Sequence, residues 1–573
     1  MYIKDYSRRL GAIFFCFLLL LSLLIGRLFY IQFFKYAYLK NLADKQHNLF
    51  VELEPRRGTI FDRRLRPQAI NIAVDSLYAV PKDIKNKEEI IAKLAALLKL
   101  DYAYLKNRIY RDKSFIWIAR KISNEQVSQI KALDCKGLGF IKESKRCYPN
   151  GYLASQLMGF VGMDNVGLEG VELLYDSDLK GQSGWAVFLR DARQKKIDLS
   201  QGLVLPKDGY SLVLTIDEVI QYIAERELDN IYKTYHAKQG TIIVIDPHTG
   251  EILALANKPS FDLNDAAKAD PEARRDHAVC DLFEPGSVFK IVTAAAALEE
   301  GKVTEEEKFF CENGSYRMAS HVLHDHRPHG WLTFREVIQQ SSNIGTSKVA
   351  QKLGPSILYK YIKLFGFGST LGVDLPGEIP GMAKPPRFWS STSIGAVPMG
   401  QEVGVTALQL AAAISVVANG GLLMKPYIAR EIQDKYGETI KDFSPELINK
   451  VISLDTAQRL KEILVGVTET GTGKLAAIEG VRVAGKTGTA QKLEANGAYS
   501  HNKFVASFIG FAPADDPLIA VCVILDSPHP YYFGGVVCAP AFKKVATDVL
   551  KYLEVMPLEK PHFKENLVAD AAR

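Results

Sequence analysis

The first 34 residues distribute apolar and polar positions differently from the rest of the chain. Leu10–Gly26 holds no charged side chain, and after Arg27 the apolar run resumes through Leu28–Ile31, Phe33 and Phe34. As one helix, residues 10–34 span about 37 Å at 1.5 Å per residue, enough to cross a bilayer with tilt. Lys4, Arg8 and Arg9 precede the run. The positive-inside rule then keeps residues 1–9 in the cytoplasm and exports the chain beyond residue 34. The run outlasts a signal-peptide core and no small-x-small cleavage site comes cleanly after it, so 10–34 reads as an uncleaved transmembrane anchor. No later segment is long and apolar enough to cross again; the Ala-rich stretch 409–418 is too short.

Residues 35–205 read as a charged, strand-poor region with many glycines and a helical stretch near 86–99. From about residue 211 the periodicity changes. SLVLTID (211–217) predicts a strand and the next segment a helix carrying Gln221. GTIIVID (240–246) and EILALA (251–256) predict two strands joined by the turn Pro247–Gly250. The pattern predicts a helix at 291–299, a strand at 481–490, a hairpin of 505–511 with 518–525, and a last helix over roughly 540–553. Hairpins with helices before, between and after them predict a multi-domain α/β protein whose main sheet is antiparallel and flanked by helices. The polar loop 491–503 is expected to be a mobile flap, and the tail 556–573 to be flexible. The domains expected are thus a cytoplasmic tail (1–9), an anchor (10–34), a charged domain (35–205), a larger α/β domain (206–555) and the tail (556–573).

Composition adds exclusions. At 573 residues the chain is too long for one core. The net charge of +6 is spread along the chain without a basic block, and the aromatics carry no stacking-motif spacing, so nucleic acid is set aside as a partner. Of seven cysteines, Cys16 falls in the anchor, and the spacing of the other six matches no disulfide framework, so they read as buried free thiols.

EPGSVFK (284–290) carries the first chemistry. Three residues separate Ser287 from Lys290, and a helix starting there places both on nearly one face, an arrangement that can activate a serine nucleophile. Ser-x-x-Lys also occurs at Ser128–Lys131, Ser177–Lys180 and Ser500–Lys503, so spacing alone decides nothing. Only Ser287 is followed by Ser341-Ser342-Asn343 and then by Lys486-Thr487-Gly488 with Thr489. In that order the three motifs form the signature of penicillin-binding proteins and related β-lactamases.

The resemblance covers nearly the whole chain. RGTIFDR (57–63), RCYPNGYLASQLMGFVG (146–162) and GLEG (167–170) resemble the pedestal of class B penicillin-binding proteins. LTIDEVIQ, EPGSVFK, SSNIG, GQEVGVTALQLA (400–411), GTG (471–473), KTGTAQK and GGVVCAPAF (534–542) resemble their transpeptidase domain, most of all that of the FtsI-like division-specific peptidoglycan D,D-transpeptidases. The resemblance implies that Ser287 is acylated by the stem peptide or by a β-lactam, and that Lys290 takes its proton, its pKa lowered by burial and by Lys486. It implies that Ser341 relays the proton, that Asn343 orients Lys290 and holds a substrate amide, and that Lys486, Thr487 and Thr489 bind the terminal carboxylate. Gly488 keeps the strand bare for substrate, and the backbone N–H groups of Ser287 and Thr489 form the oxyanion hole. Neither a cofactor nor a metal is implied. Implied partners are peptidoglycan stem peptides, an FtsW-type glycan polymerase packed against the anchor near Arg27, and other divisome membrane proteins, in the cell membrane at the septum.

Other readings stay open here: a β-lactamase, an elongation-type transpeptidase, or an idle penicillin-binding scaffold or sensor. Cys311, His321, His324, Asp325, His326 and His329 invite a zinc reading, but the spacing is loose. Arg57, Asp62, Arg63 and Glu169 are expected to form an ion-pair network. Arg64-Leu65 stands where the family has Asn-Gly.

Overall fold

The computed structural model describes residues 2–556 except 114, 191–195, 319–320 and 495–497. The expected tail from residue 557 onward and the tip of the expected flap lie outside the described residues. Contacts group the chain into two compact units, one of residues 1–56 with 181–209 and one of residues 57–180 with 210–573.

In the first unit, α1 (Tyr2–Phe29) continues into a π-helical turn, Tyr30–Phe34. The stretch Tyr6–Phe34 has a mean hydropathy of 2.5 and none of it is buried, which fits a single-pass membrane anchor. The Arg27 guanidinium lies 5.7 Å from the centre of the Tyr30 ring. Three antiparallel strands, Asn48–Leu53, Gly184–Arg190 and Lys196–Val204, complete the unit.

The second unit opens with β1 (Ile60–Phe61), β2 (Pro67–Ala79), β3 (Ile116–Ile122) and β4 (Leu138–Cys147), so the region expected to be strand-poor is strand-rich. The reason lies in how these strands are paired. Between β2 and β4 polar side chains stand where a core strand would carry apolar ones: Lys142 meets Asp75 at 2.9 Å and Ser76 bonds Glu143. Arg120 of β3 closes on Glu143 at 2.6 Å. Cross-strand charge pairs replace the apolar alternation that announces a strand.

β5 (Ser211–Leu214) leads into α2 (Glu218–Thr234), whose N-terminus Asp217 caps by accepting the N–H of Val219 and Ile220. There follow the hairpin of β6 (Gln239–Ile245) and β7 (Ile252–Lys258), then the helices α3 (Lys290–Glu299), α4 (Asn343–Leu353) and α5 (Ala407–Ala418). β8 (Ala429–Gln433), β9 (Thr439–Asp442) and α6 (Leu454–Glu469) precede β10 (Ala484–Leu493), β11 (Tyr499–Ala512), β12 (Ile519–Asp526) and α7 (Ala539–Tyr552). The segment 491–503 is therefore the far end of the β10–β11 hairpin, paired as far as Leu493 and Tyr499.

Two sheets result. One is antiparallel throughout, in the order β7-β6-β12-β11-β10. Ile242, Val244, Val521 and Val523 pack on Ile220, Leu228, Phe542 and Val545 of α2 and α7. Their neighbours Ile243, Ile245, Cys522 and Ile524 belong to the core on the other face, with α3 and α5. Burial on both faces explains why these strands read as unbroken apolar runs. Gln221 bonds both the N–H and the C=O of Leu255 on the edge strand β7, at 2.7 and 2.9 Å. The other sheet runs β9-β8-β5-β1-β2-β3, with β4 also on β2. In it β5 lies parallel to β1 and antiparallel to β8, so strands of the pedestal and of the C-terminal half share one ladder.

The expected ion-pair network is rearranged. Arg57 bonds Glu172 at 2.7 Å and Asp176 at 2.5 Å, and Arg146 bonds Glu172 at 2.6 Å. Glu172, fully buried, is the acid at the centre. Glu169 pairs instead with Arg274, and Arg63 with Glu251. Asp62 accepts the backbone N–H of Arg64, Arg66 and Glu218. That turn shows what glycine does at this position and what the departure from Asn-Gly costs: Leu65 has φ +60°, a left-handed conformation that glycine adopts without strain. The seven thiols are unbridged, and Cys311, Cys522 and Cys538 are buried.

Candidate active site

The site forms where the turn before α3, the N-terminus of α4 and β10 meet. Gly286 has φ +57°, and a Cβ there would stand 3.0 Å from the Thr489 carbonyl oxygen. Only glycine makes this turn so close to β10. The Gly286 N–H donates to the Gly400 carbonyl at 3.2 Å. Residues Gly286–Phe289 wind as a 3-10 turn and Lys290 is the first residue of α3. The Ser287 N–H thus lies in a first helical turn, where it has no intrahelical acceptor. Ser287 is half-buried, while Val288, Phe289 and Lys290 are buried.

Lys290 is fully buried and its Nζ donates to Ser341 O at 2.6 Å, Ser341 Oγ at 3.1 Å and Asn343 Oδ1 at 2.8 Å. Lys486, fully buried on β10, donates to the same Ser341 Oγ at 2.9 Å and to Thr487 O at 3.2 Å. One hydroxyl therefore sits between two buried amines. Among the described residues none of Lys290's hydrogen bonds goes to Ser287. Ser341 has φ +59°, an outlier of the kind that clusters at functional sites.

Burial pushes the Lys290 amine down to about 7, against a smaller opposing pull from Asp325. Burial, and then the neighbouring Lys290, hold Lys486 well below the usual lysine range. The expectation that Lys486 depresses Lys290 is corrected: desolvation is the main cause for both, and the like-charge repulsion bears on Lys486.

Asp325 stood in the sequence only among possible zinc ligands, and its role in the site was missed. Its carboxylate accepts from Ser342 Oγ at 2.6 Å and from the N–H of Asn343 and Ile344 at 2.5 and 3.0 Å. It holds the first turn of α4, from which Asn343 reaches Lys290. Asn343 Nδ2 donates to His324 O at 2.8 Å, leaving one amide hydrogen for another acceptor. The Asp325 carboxylate is engaged in that cap. Among the described residues no three His, Cys, Asp or Glu side chains converge as a metal-binding set.

Thr487 Oγ1 lies 2.8 Å from Thr472 Oγ1, which gives the GTG segment a place in the site. Thr489 Oγ1 accepts the Gly534 N–H at 3.1 Å. At Gly488 packing supplies a reason of its own for glycine. A Cβ on it would meet Ser507 Oγ at 2.3 Å, Val288 Cγ1 at 2.9 Å and Pro285 O at 3.0 Å. The missing side chain makes room for the turn that carries Ser287. Ser287, Lys290, Ser341, Asn343, Lys486, Thr487 and Thr489 are thus brought together by three elements far apart in sequence.

The comparisons agree with this geometry. Residues 240–547 match the penicillin binding protein transpeptidase domain and 52–214 the penicillin-binding protein dimerisation domain. Stage V sporulation protein D of Bacillus subtilis is 40% identical over 93% of this chain and 83% of its own length. Peptidoglycan D,D-transpeptidase FtsI of Escherichia coli is 32% identical over 95% of this chain and 91% of its own. The crystal structure of penicillin binding protein 3 from Mycobacterium tuberculosis, complexed with aztreonam, superposes with a TM-score of 0.70 at 28% identity, covering 89% of this chain and 99% of that one. The chain belongs to the class B penicillin-binding proteins. Within that class, its matched domain and relatives make it a peptidoglycan D,D-transpeptidase.

Proposed function

We propose that this transpeptidase works through a Ser287 acyl-enzyme to cross-link septal peptidoglycan. The observation that carries the chemistry is the Ser341 hydroxyl shared by Lys486 and by Lys290, three residues after Ser287. Neutral Lys290 takes the Ser287 proton as Oγ attacks the carbonyl carbon between the last two D-alanines. The oxyanion is held by the N–H groups of Ser287 and Thr489, donors worth about 3–4 kcal/mol each in such sites. The proton passes through Ser341 to the leaving D-alanine nitrogen, the C–N bond breaks, and the donor peptide remains as an ester on Ser287. The amine of a neighbouring stem peptide then attacks that ester, forms the cross-link amide and returns the proton to Ser287 Oγ. Lys486, Thr487 and Thr489 hold the terminal carboxylate, and Asn343 a substrate amide. A β-lactam acylates the same oxygen.

The septal role rests on the FtsI relative and on the anchor, which we read with its N-terminus cytoplasmic and the catalytic unit outside. An FtsW-type polymerase is the proposed partner of the anchor. The higher identity to a sporulation protein supports a second reading, in which the cross-links belong to a spore-specific wall. A fluorescent fusion separates them: a midcell band in dividing cells supports the septal role, side-wall signal overturns it, and signal confined to forespores supports the second. Labelling by a fluorescent penicillin tests the nucleophile. Label lost in Ser287→Ala supports it; label that survives overturns it. A penicillin adduct with a half-life of seconds points to a β-lactamase instead.

A further inference from the structure

The stretch that enters the nucleophile turn is laid against residues 400–405, and the two segments do not match in length. Phe283 and Val405 exchange both backbone hydrogen bonds, at 3.1 and 2.9 Å, and the Gly286 N–H reaches the Gly400 carbonyl at 3.2 Å. Three steps along one chain thus face five along the other, which makes a bulge on the longer side. Two left-handed residues take up the excess, Gly400 at φ +80° and Glu402 at φ +58°. A Cβ on Gly400 would stand 2.3 Å from the Gly286 carbonyl oxygen, so the two backbones touch. The longer side is itself firmly held. Val403 and Val405 are buried, and α5, which follows at once, is buried along its whole length.

An extra residue in a bulge leaves its N–H outside the ladder, and a half-buried N–H needs an acceptor. The Glu284 side chain supplies one: the Glu402 N–H donates to Glu284 Oε1 at 2.9 Å. The Tyr499 hydroxyl, at the start of β11, donates to the same oxygen at 3.2 Å. Burial, and then the Glu284 charge, hold that hydroxyl above the usual tyrosine range, so it stays a donor at neutral pH. Ser393 Oγ donates to Glu402 Oε2 at 2.6 Å and anchors the Glu402 side chain. One carboxylate oxygen therefore joins three segments: the entry to the nucleophile turn, the bulge before α5 and the end of the β10–β11 hairpin. The other, Oε2, is buried without a partner among the described residues, so the carboxylate is kept there at a cost in stability.

We propose, on the reading of Ser287 as the nucleophile, that Glu284 is a positioning residue for acylation: by holding the Glu402 N–H and the Tyr499 hydroxyl it fixes the turn that aims the Ser287 hydroxyl and N–H. Among the described residues Glu284 bonds neither Ser287 nor Lys290, so it acts through the turn. Without it the bulge relaxes and the turn shifts, and a shift near 1 Å at a reacting atom costs up to about 100-fold in rate. Lys486, Thr487 and Thr489, the proposed carboxylate binders, stand on β10 outside these tethers, so binding before the chemical step is spared.

Stopped-flow acylation of the full-length chain in detergent, with a fluorescent penicillin at varied concentration, separates the binding constant from the first-order acylation rate. Glu284→Ala is expected to slow the first-order rate at least tenfold and to change the binding constant less than twofold. Glu284→Gln keeps an acceptor oxygen and is expected to stay within threefold of the wild type. Tyr499→Phe removes one donor and leaves the ring; it is expected to slow acylation two- to fivefold alone and to add nothing to Glu284→Ala, as members of one network do. Wild-type acylation by Glu284→Ala, an equal loss in Glu284→Gln, a loss confined to the binding constant, or additive effects of Tyr499→Phe overturns the assignment. If Glu284→Ala folds poorly, Tyr499→Phe decides alone, and a wild-type rate there overturns it. Ser287→Ala separates the two readings: label lost in it beside wild-type acylation by Glu284→Ala sinks Glu284 only, whereas label that survives in it sinks both.

Discussion

Replacing Gly488 by alanine puts a methyl group where β10 and the Ser287 turn already touch. The new carbon would stand 2.3 Å from Ser507 Oγ, 2.9 Å from Val288 Cγ1 and 3.0 Å from Pro285 O. Ser507 can rotate its hydroxyl aside. Val288 and Pro285 cannot yield alone, because both are buried and belong to the turn that carries the nucleophile. Carbon contacts settle at about 3.5–4.0 Å, so the turn must retreat by roughly 0.6–1 Å. Overpacking of this size destabilises by about 1–3 kcal/mol, and a displacement near 1 Å at a reacting atom costs up to about 100-fold in rate. Gly488→Ala is therefore expected to slow acylation by a fluorescent penicillin about 10–100-fold and to lower the melting temperature. Val288→Ala deletes the clashing methyl, and the double variant is expected to acylate within about fivefold of Val288→Ala alone, a coupling between contacting residues. Wild-type acylation by Gly488→Ala, or a loss that Val288→Ala does not relieve, would refute the packing argument and return Gly488 to the role of a bare strand for substrate.

Because burial lowers Lys290 to about 7, the amine is neutral above that pH and charged below it. The acylation rate is expected to fall about tenfold per unit on the acid side and to level off above pH 8; a flat profile from pH 5 to 8 contradicts this. Asp325→Asn removes the charge that pulls Lys290 upward and weakens three hydrogen bonds at the start of α4. Its pH profile is expected to move to lower pH with a reduced plateau, and a shift to higher pH would count against the assignment. Glu172→Gln leaves Arg57 and Arg146 buried without their shared acid; about 3–5 kcal/mol of local stability should go, seen as faster hydrogen exchange in β4, with Ser287 acylation retained at low temperature. Leu65→Gly relieves a left-handed leucine and should raise stability by about 0.5–1 kcal/mol, net of the added chain freedom, in chemical denaturation.

The strands around β6 and β12 were legible because both of their faces are buried, which turns them into apolar runs. The pedestal strands were not, because Asp75, Lys142, Glu143 and Arg120 pair across them and imitate a solvated loop. The site was legible in its three motifs, since each places a named functional group. What the sequence could not display was contact between motifs. Asp325 lies in a His-rich loop that suggested zinc, and nothing local says that its carboxylate caps α4. The packing reason for Gly488 stayed hidden for the same cause: the residues it makes room for, Pro285 and Val288, lie about 200 positions upstream. Thr472 and Thr487 were each visible in their own motifs, but not that their hydroxyls meet.

The ladder that joins β1 to β5 and β5 to β8 bears on how such chains exchange parts. A gene crossover placed in the stretch before residue 211 looks safe along the sequence, yet it would give β5 a foreign strand to pair with on one side and a native one on the other. β1 offers only two residues to that ladder, and its parallel register on Leu212 and Val213 must match for the sheet to close. Recombinants that inherit 57–79 and 211–214 from different parents should be scarce among functional mosaics, whereas exchanges within the single segment 240–547 leave the ladder's shared strands intact except at β8 and β9. Residues 57–79 and the strands they pair with are thus expected to be inherited together, as one piece of β-sheet rather than as two movable modules.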